Sequence, residues 1–373
     1  MKVGILTFHF GRNYGALLQA YGLRKAIDSL GNETHVVHYI PQHCSRYMSS
    51  AETPLLRLGW RTYGLRLAIE RRLRTFRFNH FKRKALRLTP RCHNKEELIQ
   101  QVAKFDALVV GSDQVWNLNY VGSNDLCYFL DFPIPENVRC LSYAACCGRK
   151  DQSQAYFSMV SSLLAKFHSI GVRNEVTAEF VKSVANRSST IVADPTLLDS
   201  YIDVEDRHIP SSRYLLMYVL EEKSFADYRK VIFKIKKQLG LPVWAIADGN
   251  KVWHDDPLPG ADRTLFGVSP GRFLSLIKQA DCVVTDSFHG TIFSIKYQRP
   301  FITLNDGSWR NMRMDDLANR YGIGHRIKSV HTEIDPNLLE RSSDLKIILD
   351  FFNAHKRFSI EYLKKALDGN LYQ

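Results

Sequence analysis

The run Lys2-Val3-Gly4-Ile5-Leu6-Thr7-Phe8, the turn Gly11-Arg12-Asn13-Tyr14-Gly15 and the segment Gly15 to Leu30 set the reading of the whole chain. The first is a short, nearly continuous apolar stretch, as expected of a buried strand. The glycines of the second permit a tight turn, the third reads as a helix, and Thr34 to Tyr39 returns as a strand. Strand, helix and strand in this order form the unit of a parallel sheet.

The same alternation runs outward along the chain. Lys95 to Lys104 reads as a helix and Ala107 to Val110 as a short buried strand. Cys140 to Ala145, Ser169 to Val172 and Thr190 to Ala193 follow as strands with helices between them. A second series holds strands at Tyr214 to Leu220, Val243 to Ala247, Cys282 to Thr285 and Pro300 to Leu304. Its helices are Phe225 to Leu239, Gly271 to Gln279, Thr291 to Tyr297 and a last stretch from about Asp344 to Leu367. Two such series, split near residues 195 to 212, predict an α/β protein of two Rossmann-like domains, residues 1–200 and 201–373. Ligands in such folds bind at the carboxyl ends of strands.

Composition fits this class. The 373 residues suffice for two domains, and 45% apolar with 24% charged residues is a globular mixture. No stretch of eighteen apolar residues suggests a membrane-spanning helix. The N-terminal apolar run is too short for a signal peptide, so the expected location is the cytoplasm. Seven cysteines without a CxxC pair suggest neither a disulfide framework nor a zinc site. The neighbours Cys146 and Cys147 read as two buried thiols or, alternatively, as a redox pair. The net charge of +13 is concentrated: from Arg57 to Arg91 there are twelve basic residues and one acid, Glu70, a net +11. Apolar and aromatic residues lie between them. The stretch, a basic helical insertion over about residues 46–91, is expected either to lie on an anionic membrane surface or to be a solvated insertion. No nucleic-acid-binding signature accompanies the charge.

Four polar clusters follow strands. Gly11 to Gly15 is a plain turn or a ligand loop, with Asn13 and Gly15 as contacts. In Gly111-Ser112-Asp113-Gln114-Val115-Trp116-Asn117, Asp113 is a candidate to accept a proton from a sugar hydroxyl. Trp116 either stacks on a sugar ring or belongs to the core, and Gln114 and Asn117 are further polar contacts. In Gly171 to Glu175, Arg173 has the planar fork that grips a carboxylate or phosphate; the competing role is an ion pair with Glu175 or another acid. In Thr285-Asp286-Ser287-Phe288-His289-Gly290-Thr291, a helix start offers N–H groups, the Ser287 hydroxyl and the His289 imidazole to an anion. Arg310 and Arg313, on one helical face downstream, can add charge there.

The chain resembles the polysaccharide pyruvyl transferase family. The runs Gly111 to Asn117 and Asp286 to Gly290 carry the resemblance. Asn13 to Tyr21, Ser142 to Ala145, Gly171 to Asn174, Asp194-Pro195-Thr196 and Pro300-Phe301 support it in the same order, over about residues 1 to 325. The resemblance implies a GT-B-like fold, phosphoenolpyruvate as donor, an often lipid-linked sugar as acceptor, and no metal or organic cofactor. It places donor contacts at His289, Gly290 and Arg173. Many members carry an arginine two residues before this histidine. Here the residue is Ser287, so Arg310 and Arg313 are the candidates for the missing charge. Acceptor contacts are expected in the first domain and donor contacts in the second, with the enzyme at the inner face of the membrane. A nucleotide-sugar glycosyltransferase of the same fold and a non-catalytic membrane-surface protein are the competing readings.

Overall fold

The computed structural model describes residues 1–41, 62–122, 125–148, 154–207, 212–220, 225–247, 258, 260–305, 312–329, 331–340 and 343–371. These divide into two compact units. The first takes residues 1–41, Phe81–Ser200 and 354–371, and the second takes residues 62–80 and Tyr201–Asn353.

The first unit is a parallel six-stranded sheet. Its strands are β1 (Lys2–Leu6), β2 (Glu33–Val36), β3 (Ala107–Val110), β4 (Arg139–Ala145), β5 (Ser169–Val172) and β6 (Thr190–Ile191). Their spatial order is β2-β1-β3-β4-β5-β6. Helices α1 (Tyr14–Ser29), α2 (Thr62–Ala85), α3 (Lys95–Val102), α4 (Leu118–Val121), α5 (Gln154–Leu164) and α6 (Glu175–Ala185) lie between the strands in sequence. Every residue of β3 and β5 is buried, which is why these strands read as continuous apolar runs rather than alternating ones. From β1 the chain passes to β2 on one side and later to β3 on the other. The order therefore reverses between β1 and β3, the place at which folds of this kind bind their ligands.

The second unit repeats the plan. Its strands are β7 (Leu215–Tyr218), β8 (Val243–Ile246), β9 (Arg263–Leu265), β10 (Cys282–Thr285), β11 (Phe301–Asn305) and β12 (Ile327–Ser329). All pairings are parallel, in the order β12-β11-β10-β7-β8-β9, with the reversal between β7 and β10. Its helices are α7 (Phe225–Leu239), α8 (Pro270–Gln279), α9 (Phe288–Lys296), α10 (Met312–Tyr321) and α11 (Ser343–Asp368). The residues of α11 from Ala354 onward belong to the first unit. There the Ser359 hydroxyl accepts from the Ala193 N–H at 2.8 Å, and Tyr362 packs against Tyr143.

The three-residue strands β9 and β12 are absent from the sequence reading, since so short an apolar signal has no readable period. Helix α9 starts one turn earlier than its apolar residues suggest, because Ser287 caps it. Within the basic stretch, Arg57 and Arg61 lie outside the described residues, as does the Arg66 side chain. Arg74 and Lys82 are buried, so the described stretch is not a uniformly solvated helix. Ile69, Leu73 and Phe76 are exposed along α2, Phe76 by 62%. Six of the cysteines, Cys146 and Cys147 included, are buried free thiols, and Cys44 lies outside the described residues. No described helix is long and apolar enough to cross a membrane.

Candidate functional site

In the second unit the strand reversal carries a densely bonded loop. The Thr285 hydroxyl donates to the Tyr218 carbonyl at 2.6 Å and accepts from the Ser287 N–H at 3.0 Å. The Asp286 carboxylate accepts from the Leu220 N–H at 2.7 Å. These bonds lock the ends of β7 and β10 together across the reversal. Ser287 is the N-cap of α9, its Oγ accepting from the Gly290 N–H at 3.3 Å; the hydroxyl proton stays available for a ligand. Gly290 is required by space, since an added Cβ would stand 2.5 Å from the Thr285 Oγ. His289 occupies the first turn and is 7% exposed. Its ring meets Phe288 edge-on at 5.1 Å, and the Arg313 guanidinium lies 5.7 Å from the same Phe288 ring. The first turn of α9 contains no acidic residue. The corner is thus a positive helix end with an imidazole, a hydroxyl and a guanidinium near it, suited to an anion. Arg310 lies outside the described residues.

In the first unit, the loop after β3 turns through Gly111 at φ +111° and Asp113 at φ +75°. A Cβ on Gly111 would come within 2.4 Å of the Tyr143 carbonyl oxygen, so only glycine brings the loop so near β4. The turn presents the Asp113 carboxylate 3.5 Å from the Arg173 guanidinium, which follows β5. Asp194, after β6, faces the same Nη1 at 3.3 Å. Its other oxygen accepts from the Thr196 N–H at 3.0 Å and the Thr196 hydroxyl at 2.7 Å. Arg173 is 4% exposed. Burial lowers its pKa, but Cys146, Asp113 and Asp194 act the other way and the net shift is upward. The ion-pair partners of Arg173 are therefore Asp113 and Asp194 rather than the exposed Glu175. Asp194 is a member of this group that spacing alone did not reveal, being 21 residues from Arg173.

The remaining expected contacts fall into separate roles. Gln114 and Asn117 are buried and bonded to each other, Nδ2 to Oε1 at 2.7 Å. Asn13 caps α1 by accepting from the Ala16 N–H at 3.1 Å, with Gly15 buried in the first turn. Trp116 does not face a ligand. It is 0% exposed, stacks on Phe129 at 5.3 Å and donates from Nε1 to the Tyr128 carbonyl at 2.9 Å. An indole whose faces are covered and whose N–H is satisfied is core, and the expected sugar platform is corrected accordingly. Asp113, Arg173 and Asp194 thus form one group in the first unit, and Ser287, His289, Gly290 and Arg313 another in the second. Among the described residues no cluster of His, Cys, Asp and Glu side chains is suited to hold a metal ion.

A family model described as polysaccharide pyruvyl transferase matches residues 13–308. No curated protein matches the sequence. Among solved structures, the chain is similar to UGT89C1 of Arabidopsis thaliana at 9% identity and a TM-score of 0.50, with 99% of each chain covered. It is also similar to the UDP-GlcNAc 2-epimerase of Methanocaldococcus jannaschii, at 13% identity, a TM-score of 0.47, and coverage of 94% of this chain and 92% of that one. A third is the S. aureus MnaA–UDP co-structure, at 14% identity, a TM-score of 0.47, and coverage of 99% and 91%. At 9% identity the likeness to UGT89C1 concerns the fold alone, a two-domain Rossmann-like α/β arrangement of GT-B type.

Proposed function

Because the chain belongs to the polysaccharide pyruvyl transferase family and is thus a transferase, we propose that it moves a pyruvyl group from phosphoenolpyruvate to a hydroxyl pair of a lipid-linked sugar, forming a cyclic ketal. The observation that carries this reading is the corner at the start of α9, where His289, the Ser287 hydroxyl and Arg313 gather at a helix whose first turn carries no acid. A donor bearing phosphate and carboxylate needs such a corner. Arg313 supplies the charge that relatives place at the position of Ser287.

In the proposed reaction an acid protonates the methylene carbon of the donor, and cationic character develops at C2. One sugar hydroxyl attacks C2 and a neighbouring hydroxyl displaces inorganic phosphate. Of the two hydroxyl protons lost, one replaces the proton delivered to the methylene carbon and the other leaves with phosphate. His289 contacts the donor phosphate and delivers the proton, and Asp113 is the base that takes up a hydroxyl proton. In this reading Arg173 touches the donor's anionic groups, held in position by Asp113 and Asp194. Apart from Arg173, the donor contacts lie in the second unit, and the acceptor contacts lie in the first.

The lipid linkage draws support from α2. Ile69, Leu73 and Phe76 are exposed there beside the exposed Arg72, an apolar and basic mixture suited to an anionic bilayer surface. We place the working enzyme at that surface. The test is acceptor-dependent release of inorganic phosphate from phosphoenolpyruvate. Release of a nucleoside diphosphate from a nucleotide sugar, with phosphoenolpyruvate untouched, would instead assign glycosyl transfer, which the likeness to UGT89C1 keeps as the second reading.

A further inference from the structure

At the strand reversal of the first unit, three buried side chains are tied to Thr7, the residue after β1. The Thr7 hydroxyl donates to the carbonyl of Ser112, beyond β3, at 3.0 Å, and accepts from Nε2 of Gln19, in α1, at 3.0 Å. The Thr7 carbonyl faces Nδ1 of His9 at 2.9 Å. Thr7, Gln19 and Ser112 are 0% exposed and His9 is 2% exposed. The mechanism above uses none of them.

These bonds fix which atoms are left over. A carbonyl only accepts, so Nδ1 of His9 carries the proton and Nε2 presents a bare lone pair. Burial lowers the pKa of this ring to about 3, against the Thr7 hydrogen bond, so the ring is neutral. Nε2 of Gln19 also donates to the Phe8 and Ala16 carbonyls, at 3.3 and 2.8 Å. Those partners fix the orientation of the amide, and its Oε1 is turned away from them. Nε2 of His9, Oε1 of Gln19 and Oγ of Ser112 are all buried, and none has a hydrogen-bond partner among the described residues. One orphaned polar atom is costly. Three of them stand here around one threonine, at the edge where folds of this kind bind ligands.

The kind of ligand follows from the atoms. Two of the three only accept, so they repel an anion and call for hydrogens. The Lys82 ammonium sits on the Phe10 carbonyl at 2.6 Å, next to His9 in the chain, and disfavours a cation. A neutral hydrogen donor remains. Two lone pairs and one hydroxyl match a pair of hydroxyl groups, each of which donates one hydrogen and accepts another.

We propose that His9, Gln19 and Ser112 form a subsite for a hydroxyl pair of a sugar. One hydroxyl donates to Nε2 of His9, the second donates to Oε1 of Gln19, and the Ser112 hydroxyl donates to an oxygen of the pair. The ligand enters past the His38 ring, which is half-buried and meets His9 edge to face with centroids 5.3 Å apart. Assigning these hydroxyls to the pyruvyl acceptor rests on the pyruvyl-transfer reading above; the subsite itself does not. Asp113, given the role of base there, is the residue after Ser112.

The subsite is tested without turnover by titrating methyl glycosides of glucose, galactose and mannose into the full chain carrying ¹⁵N-labelled histidine. At least one should move the His9 Nε2 resonance from the position of a bare lone pair toward that of a hydrogen-bond acceptor; the His9→Asn variant identifies the signal. A resonance unmoved by all three sugars would overturn the subsite. So would one already at the acceptor position in the free chain and unmoved by sugar, which would assign an ordered water only. The acceptor assignment is read from steady-state kinetics. Ser112→Ala deletes a hydroxyl whose oxygen has no partner among the described residues, so its melting temperature should equal or exceed the parent's. Its KM for the acceptor should nevertheless rise about tenfold, the scale of one hydrogen bond, with KM for phosphoenolpyruvate unchanged. His9→Asn, which keeps an N–H for the Thr7 carbonyl but lacks Nε2, should do the same. Acceptor KM within twofold of the parent in Ser112→Ala and in folded His9→Asn would overturn the assignment, as would an equal rise in both KM values. Absence of pyruvyl transfer in the parent chain would defeat the functional reading, while the sugar titration still decides the subsite.

Discussion

Replacing Arg173 by Met would leave two carboxylates, Asp113 and Asp194, facing a gap that a guanidinium now fills. The Arg173 and Asp194 side chains are 3% and 2% exposed, with Asp113 at 14%. At an effective dielectric of about 20, unit charges about 3.3 Å apart attract by roughly 5 kcal/mol. Desolvation of the three groups offsets much of that in the parent. Removing only the cation keeps the desolvation and adds repulsion, so the expected loss of stability is about 3–5 kcal/mol. The loss should shrink as pH falls from 8 to 5. Protonating one carboxylate removes the repulsion, so the folded variant gains protons relative to its unfolded chain and is stabilised at low pH relative to high. Urea unfolding at both pH values, followed by circular dichroism, measures this. A loss below about 1 kcal/mol at pH 8, or one that grows on acidification, would refute the view that Arg173 is the counter-charge for the buried Asp194 and the half-buried Asp113.

Other substitutions separate chemistry from packing. His289→Ala should lower pyruvyl transfer about 100-fold or more with an unchanged melting temperature, the cost of one strong transition-state contact; near-parent turnover removes His289 from the mechanism. Trp116→Ala should destabilise the protein by about 3–5 kcal/mol, as for a large buried ring, without a specific rise in the acceptor KM, which thermal melts and steady-state kinetics would check. Arg72→Gln combined with Leu73→Ser and Phe76→Ser should weaken binding to anionic vesicles, with about 1 kcal/mol from the charge alone. It should also slow turnover of a lipid-linked acceptor more than of a soluble analogue, as sedimentation and paired rate measurements would show.

The sheets were legible because their strands carry strong local signals. Ala107–Val110, Ser169–Val172 and Cys282–Thr285 are mostly apolar and buried on both faces, and a cap or glycine follows each in sequence. The polar runs after these strands were legible for the same reason, since a strand end fixes where its loop emerges. What stayed hidden depends on partners distant in sequence. Trp116 sits in a polar run, but its indole packs against Phe129 and Phe167, contacts no periodicity encodes. Arg173 was readable as an anion grip, whereas its clamp by Asp113 and Asp194 spans 60 and 21 residues. The basic stretch looked uniform in sequence, yet Lys82 turns inward to the Phe10 carbonyl, 72 residues away, while Phe76 turns outward.

Incubation of the purified chain with phosphoenolpyruvate and a panel of lipid-linked sugars, read by mass spectrometry, tests the central claim most directly. The expected product is an acceptor heavier by one pyruvic acid less one water, formed together with one inorganic phosphate and lost in His289→Ala. Phosphoenolpyruvate left intact across the panel, with sugar instead transferred from a nucleotide donor, would contradict the account.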